Sequence, residues 1–290
     1  MKSKFYKYIL YIILILIIII VTSILLRVNN NNTKQNYHLK TDGLCVLHNL
    51  ITNSELKQLQ QYLKHDQNLK IKEFFMKSNR IKQRIQDMLG NDYAFHDYIF
   101  LIKKSQIHTC HRDYNGDLFN EGQRYPSYTI IIYLENMQKC LDIIPKSHTS
   151  IYKNAVNLTD PTETVLCKAG DALLFNANLI HTGAINDKED NPRVQMKISH
   201  TADHKTLGFY QNYNKIMNKS NSNPKWLKQV QKHFSCQFPI VGTYTQTADY
   251  NNVTTGSGTG TSIFGQIYSK FFYGDADFYK LPDLKPPSPS

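Results

Sequence analysis

The sequence predicts a mainly β domain with flanking helices, an antiparallel sandwich or barrel, behind one N-terminal membrane-spanning helix. Three observations carry this. Residues 9–26 form an uncharged apolar run. Short β-rich segments follow one another between Tyr98 and Ser199 with no long helix between them, as in antiparallel sandwiches and barrels. Helical patterns border that block on both sides.

The run from Ile9 to Leu26 is almost entirely Ile, Leu, Val and Tyr. At the rise of a helix, about 20 apolar residues cross a bilayer core. Lys2, Lys4 and Lys7 precede it, so the positive-inside rule places a short N-terminus in the cytosol. The rest of the chain is then expected on the luminal or outer side of a single-pass protein. The exit Thr22-Ser23-Ile24-Leu25-Leu26-Arg27 lacks the small-residue site of a cleaved signal peptide. The expected organisation is an anchor over 1–27, a polar linker over 28–40, the β domain over 41–203 and a helical extension with a Gly/Pro-containing tail over 204–290.

Within the domain, Leu44–Leu47 reads as a strand. Thr52-Asn53-Ser54-Glu55 opens a helix that Asn or Ser would cap, with Leu56, Leu59 and Leu63 at helical spacing. A second helix fits 78–89, with Ile81, Ile85 and Met88 on one face. The β-rich runs are 98–102, 128–134, 164–166, 172–175 and 194–199, and Gly170-Asp171 marks a turn before one of them. Pro224 suits the first turn of a helix over 224–234. The last 50 residues read as irregular, and the TTGSGTG stretch over 254–260 as a flexible loop, since it lacks the Lys and Ser/Thr of a phosphate-binding loop.

Composition narrows the function classes. Hydrophobic residues at 41% and charged residues at 20% describe a folding chain rather than a disordered one. Five cysteines without a CxxC pair make neither a disulfide scaffold nor a zinc ribbon; they could include a bridge, but their spacings indicate none in particular. The net charge is +11, but it comes from a Lys-rich, Asn- and Ile-rich composition and does not by itself point to nucleic acid. N-x-[ST] sequons begin at Asn31, Asn157, Asn218 and Asn252, a number that chance supplies.

The chemistry lies in His111-Arg112-Asp113. In an extended segment residues i and i+2 share a side, so His111 and Asp113 can reach one metal. His181 follows after the β-run Ala172–Phe175, and Arg193 twelve residues later. Two imidazoles and one carboxylate form the facial set of non-haem Fe(II) oxygenases, which leaves positions for a cosubstrate and O2. Arg193 offers the planar fork that a carboxylate of 2-oxoglutarate requires. It is also the last Arg in a chain with far more Lys than Arg.

With these residues in place the sequence resembles the Fe(II)/2-oxoglutarate-dependent oxygenases, most closely the phytanoyl-CoA dioxygenase-like branch. Asp42 to Leu47 followed by a helix is similar to that family's opening. Ile144-Pro145-Lys146-Ser147-His148 is similar to its Pro-Gly-Ser-His segment, with Lys146 in place of Gly. Gly170-Asp171 through His181, then Asn186 and Arg193, follows its closing pattern. The resemblance implies a double-stranded β-helix, or jelly roll, with Fe(II) held by His111, Asp113 and His181. It implies 2-oxoglutarate on Arg193, with Tyr128 as an aromatic beside it and Thr182 as a nearby hydroxyl. His148 is expected to be structural, and His108 to lie on the wrong face for a ligand. The activity implied is hydroxylation with O2, releasing succinate and CO2; the carboxylate at Asp113 favours it over halogenation.

The substrate stays open among small molecules, lipids and proteins. Arg124 to Leu134 also resembles prolyl hydroxylases, although those usually use Lys where this chain has Arg193. A non-catalytic jelly-roll binding module on a membrane stalk is the alternative from another class. Nucleic acid is not expected, because AlkB-like dealkylases place further Arg after the distal His and none follows Arg193.

Overall fold

The computed structural model describes residues 2–28, 36–104, 107–113, 122–149, 156–157, 160, 162–188, 190–204, 217–240, 242 and 263–278. Alternation of side chains along the strands organises it. Odd-numbered residues of β4 (Tyr128–Tyr133) turn inward, and Ile130 and Ile132 turn to the other face. The same split runs through β7 (Ala172–Asn176), where Leu173 and Phe175 face one core and Ala172 and Leu174 the other. A period of two is what one strand between two apolar layers requires.

The larger sheet has the order β1 (Leu44–Leu47), β7, β4, β9 (Asp190–His200), β2 (Tyr93–Phe95), and β3 (Phe100–Lys104) also pairs with β9. The smaller sheet is β6 (Glu163–Val165), β5 (Leu141–Ile143), β8 (His181–Gly183). Among the described residues every strand pairing is antiparallel. The inner faces of the two sheets meet in a core of Leu44, Ile131, Tyr133, Leu141, Ile143, Val165, Leu173 and Phe175. This is the two-sheet arrangement expected of a jelly roll.

The outer face of the larger sheet is covered by α3 (Asn53–Lys64), α4 (Asn68–Lys77) and α5 (Asn79–Leu89), after a short α2 (Leu39–Asp42). Leu59, Ile71, Phe75, Ile81 and Ile85 pack there against Ile130, Ile132, Leu174, Val194, Met196 and Ile198. Thr52, rather than Asn or Ser, caps α3. Its side chain accepts from the Glu55 backbone N–H while Glu55 reaches back to the Thr52 N–H, a reciprocal capping box. Ser78 caps α5. The sequence reading passes over α4 and the three-residue strands β2, β5 and β8, which are too short to show a period.

One expectation is corrected at the C-terminal end. Ile263–Tyr273 is a helix, not irregular chain, and buries Tyr268, Phe272 and Tyr273 with Phe278. We call it α7, and the helix Lys225–Gln237, with Pro224 at its N-cap, α6. Cys110 and Cys236 form a disulfide that joins α6 to the barrel. Cysteine spacing could not reveal this pair, because 126 residues separate it and only tertiary folding brings its Cα atoms to 4.9 Å. The Gly-rich stretch 254–260 lies outside the described residues, as does most of the linker.

At the N-terminus the expected anchor is helical as part of α1 (Lys2–Val28), and its described side chains are exposed. Among the described residues no helix is long and apolar enough to cross a membrane.

Candidate metal centre

The H-x-D segment is held against β8 by backbone hydrogen bonds. The His111 N–H donates to the His181 carbonyl and the His181 N–H to the His111 carbonyl, each at 3.0 Å. This reciprocal pair sets the two histidines directly opposite one another, with ring centroids 4.5 Å apart. The Asp113 N–H donates to the Ala177 carbonyl at 2.9 Å, which returns the carboxylate to the same side as the rings. Arg112, between them, turns away and donates to the Ser147 carbonyl at 3.4 Å. Ser147 in turn accepts from the Ile180 N–H at 2.8 Å. The Pro-Lys-Ser-His turn therefore braces both the H-x-D segment and the approach to His181.

His111, Asp113 and His181 converge, with one potential ligand atom from each lying within 4.8 Å of the others. Asp113 Oδ1 is 3.9 Å from His111 Nε2 and 3.6 Å from His181 Nε2. Each Nδ1–H donates to a carbonyl two residues back, Thr109 at 2.8 Å and Leu179 at 2.9 Å. Those bonds fix the tautomers and point both Nε2 lone pairs at one place, the usual outer support of a metal-bound imidazole. Burial, reinforced for His111 by the neighbouring imidazole, pushes both rings below their ordinary range, His111 to about 3. The imidazoles are thus neutral, as metal ligands must be. Burial alone would raise the Asp113 carboxyl, but Lys197 and the two imidazoles outweigh it and hold it well below the usual carboxylate range. Two neutral nitrogens and one carboxylate fit a divalent metal with positions left open.

Arg193 opens the inner face of β9 and is buried. Its Nη1 donates to the Asn191 carbonyl at 3.2 Å, and among the described residues it meets no carboxylate. Tyr133 is its register partner on β4, and the Tyr133 hydroxyl is buried without a hydrogen-bonded nitrogen or oxygen. A buried guanidinium with one of its donors on a backbone carbonyl and no carboxylate partner among the described residues fits an incoming carboxylate. Burial pushes the Arg193 guanidinium below its ordinary range, which an acidic ligand would reverse.

Tyr128 and Thr182 do not join this site. Tyr128 sits on the outer face of β4, edge-on to Tyr93 with ring centroids 5.6 Å apart, and packs with the helices. The inward hydroxyls of β4 are Thr129 and Tyr133, and the one-residue difference from Tyr128 is the strand alternation itself. Thr182 likewise faces away from its neighbour His181. It pairs with Asp142, which binds Lys232 of α6 on the outer side of the smaller sheet. His108 is buried against Gln231, His108 Nε2 to Gln231 Oε1 at 3.0 Å, away from the metal ligands. His148 lies against Gly43, whose backbone has φ 89; a Cβ there would fall 2.7 Å from the imidazole.

The sequence reading missed Lys197. Its Nζ lies 2.6 Å from Asp113 Oδ2 and 2.9 Å from Thr129 Oγ1. A signal existed: Arg193, Gln195, Lys197 and Ser199 alternate with Val194, Met196 and Ile198, so the polar set shares the inner face with Arg193.

Residues 62–193 match the family model of phytanoyl-CoA dioxygenase, a span that contains His111, Asp113 and His181 and ends on Arg193. No curated protein matches the chain. Among solved structures, HygX from Streptomyces hygroscopicus with nickel and 2-oxoglutarate bound is similar at 16% identity and a TM-score of 0.44, over 56% of this chain and 84% of that one. The epimerase SnoN in complex with Fe3+, alpha ketoglutarate and nogalamycin RO is similar at 15% identity and 0.44, over 56% and 80%. AviO1 from Streptomyces viridochromogenes Tue57 is similar at 13% identity and 0.44, over 58% and 94%.

Proposed function

We propose that this chain, which belongs to the phytanoyl-CoA dioxygenase-like Fe(II)/2-oxoglutarate-dependent oxygenases and is an Fe(II)/2-oxoglutarate-dependent dioxygenase, hydroxylates its substrate. The observation that carries the reading is the convergence of His111, Asp113 and His181 on a jelly-roll interior that also holds Arg193. When bound, Fe(II) and 2-oxoglutarate supply the oxidising power with O2, giving succinate and CO2. The chain's own part is placement. His111 and His181 present neutral Nε2 atoms, Asp113 presents a charged oxygen, and the buried Arg193 orients the far carboxylate of the cosubstrate. Burial of these groups keeps bulk water from the centre.

We further propose that α1 holds the domain at a membrane, on the non-cytosolic side. The uncharged run Ile9–Leu26 behind Lys2, Lys4 and Lys7 supports this. So does the Cys110–Cys236 disulfide, a bond that persists in oxidising compartments. Alkaline extraction would leave the full chain in the membrane pellet and release a chain lacking residues 1–27; release of both sinks the anchor.

The enzyme test uses the purified chain under anaerobic conditions. Fe(II) followed by 2-oxoglutarate should produce a visible charge-transfer band. Arg193→Ala should need about 10- to 100-fold more 2-oxoglutarate for the same band, the worth of a charged hydrogen-bond pair. A folded protein that binds iron but gives no band with 2-oxoglutarate would overturn the cosubstrate assignment and return the fold to the class of binding modules.

A further inference from the structure

The two oxygens of Asp113 have different surroundings. Oδ1 faces both imidazole Nε2 atoms, at 3.9 and 3.6 Å. Oδ2 is gripped from the opposite side. Lys197 Nζ lies 2.6 Å from it, and the Thr129 hydroxyl donates to it at 2.5 Å. Lys197 also donates to Thr129 Oγ1 at 2.9 Å, so the three groups close a triangle. The hydroxyl accepts from the ammonium and donates to the carboxylate, which fixes the direction of its own O–H.

The strand register builds this triangle. Thr129 and Lys197 are directly opposed on β4 and β9, so their side chains rise from the same face. Lys197 is 3% exposed. Taking an ammonium out of water is strongly unfavourable unless it is paired and hydrogen-bonded. The pairing with Asp113 answers that cost, and it also fixes the plane of the carboxylate.

We propose that Lys197 and Thr129 are positioning residues that keep Asp113 a one-oxygen ligand. A carboxylate can give a cation one oxygen or both. With Oδ2 held by a charged and a neutral donor, only Oδ1 is presented to the centre. Three protein donor atoms then leave three positions of an octahedral metal open, two for a chelating cosubstrate and one for O2. Without the grip, Oδ2 turns onto the metal and takes one of the three. The inference rests on the metal-centre reading above, and it assigns Lys197 no contact with substrate.

The test needs the metal alone. Mn(II) is titrated into the full-length protein, and water-proton relaxation reports how many exchangeable waters the bound ion carries. In Lys197→Met the relaxation enhancement per bound Mn(II) should fall by about one third, as three open positions become two. Mn(II) affinity should not weaken, because a second oxygen has been gained. Lys197→Arg, which keeps a charged donor, should restore the wild-type value. A folded Lys197→Met that binds Mn(II) with unchanged enhancement overturns the inference. Should that variant not fold, Lys197→Gln decides by the same criterion. Failure of the wild type to bind Mn(II) overturns the metal-centre reading instead, so the two failures are distinct.

Discussion

Among the described residues, two Asp–Lys pairs of almost the same construction stand in contrast. Asp113–Lys197 lies inside the barrel and Asp142–Lys232 on its outer side beneath α6, each at 2.6 Å. Each carboxylate also accepts from a threonine, Thr129 at 2.5 Å and Thr164 at 2.6 Å. The difference lies in how the donors are shared. At Asp142 the lysine takes Oδ2 and the threonine Oδ1, so both oxygens are committed within the protein. At Asp113 both donors meet on Oδ2, and Oδ1 turns to two imidazoles. The same residue types make a closed structural clip in one place and leave a carboxylate oxygen facing two imidazoles in the other. What separates them is the side from which the donors approach.

The sharpest way to break this comparison is to remove the imidazole beside one pair and the charge from the other. His181→Ala should lower Fe(II) affinity by more than about 100-fold, beyond what loss of an outer support costs, and abolish 2-oxoglutarate turnover. Direct metal titration checks the first effect and succinate release the second. Asp142→Asn should leave Fe(II) affinity within about twofold. A wholly buried broken pair loses 3–5 kcal/mol, and the partial exposure of Lys232 brings the expected destabilisation down to about 2 kcal/mol. Denaturant unfolding measures it. A large loss of iron in Asp142→Asn would show that the two pairs are not separate in function.

The disulfide joins the two regions, since Cys110 precedes His111 and Cys236 lies one helical turn beyond Lys232. Cys236→Ser should therefore destabilise by about 2–4 kcal/mol, as for a bridge closing a long loop. The loss should be visible in the unfolding midpoint and, through looser placement of His111, as weaker metal binding. Unchanged metal affinity would confine the bridge to α6. The smallest effect is expected at Lys146, a non-glycine residue with φ 66 in the turn that carries Ser147. Lys146→Gly should stabilise by about 1 kcal/mol by removing left-handed strain. A loss of stability there would mean that the lysine side chain contributes more than its backbone costs.

Much of the site was legible before any fold was known. The H-x-D spacing, the distal His181 and the Arg193 beyond it required only that two residues share a side and that a carboxylate need a planar cation. The strands over 128–133 and 172–176 announced themselves through dense β-branched and apolar residues, and the helices over 53–64 and 79–89 through their period and caps. Tyr128 and Thr182 failed for one shared reason. A single residue of register decides which face of a strand a side chain occupies, and composition does not set the register.

By itself, then, the sequence determined the chemistry available: which side chains can ligate, which cation can hold an acid, which runs must be buried. Those are properties of residue type and local spacing. Only the tertiary structure decided which of two aspartates meets two imidazoles, which lysine grips it from behind, and which two of five cysteines join. These depend on strands and helices far apart in the chain arriving at the same few ångströms, and no local pattern encodes that meeting.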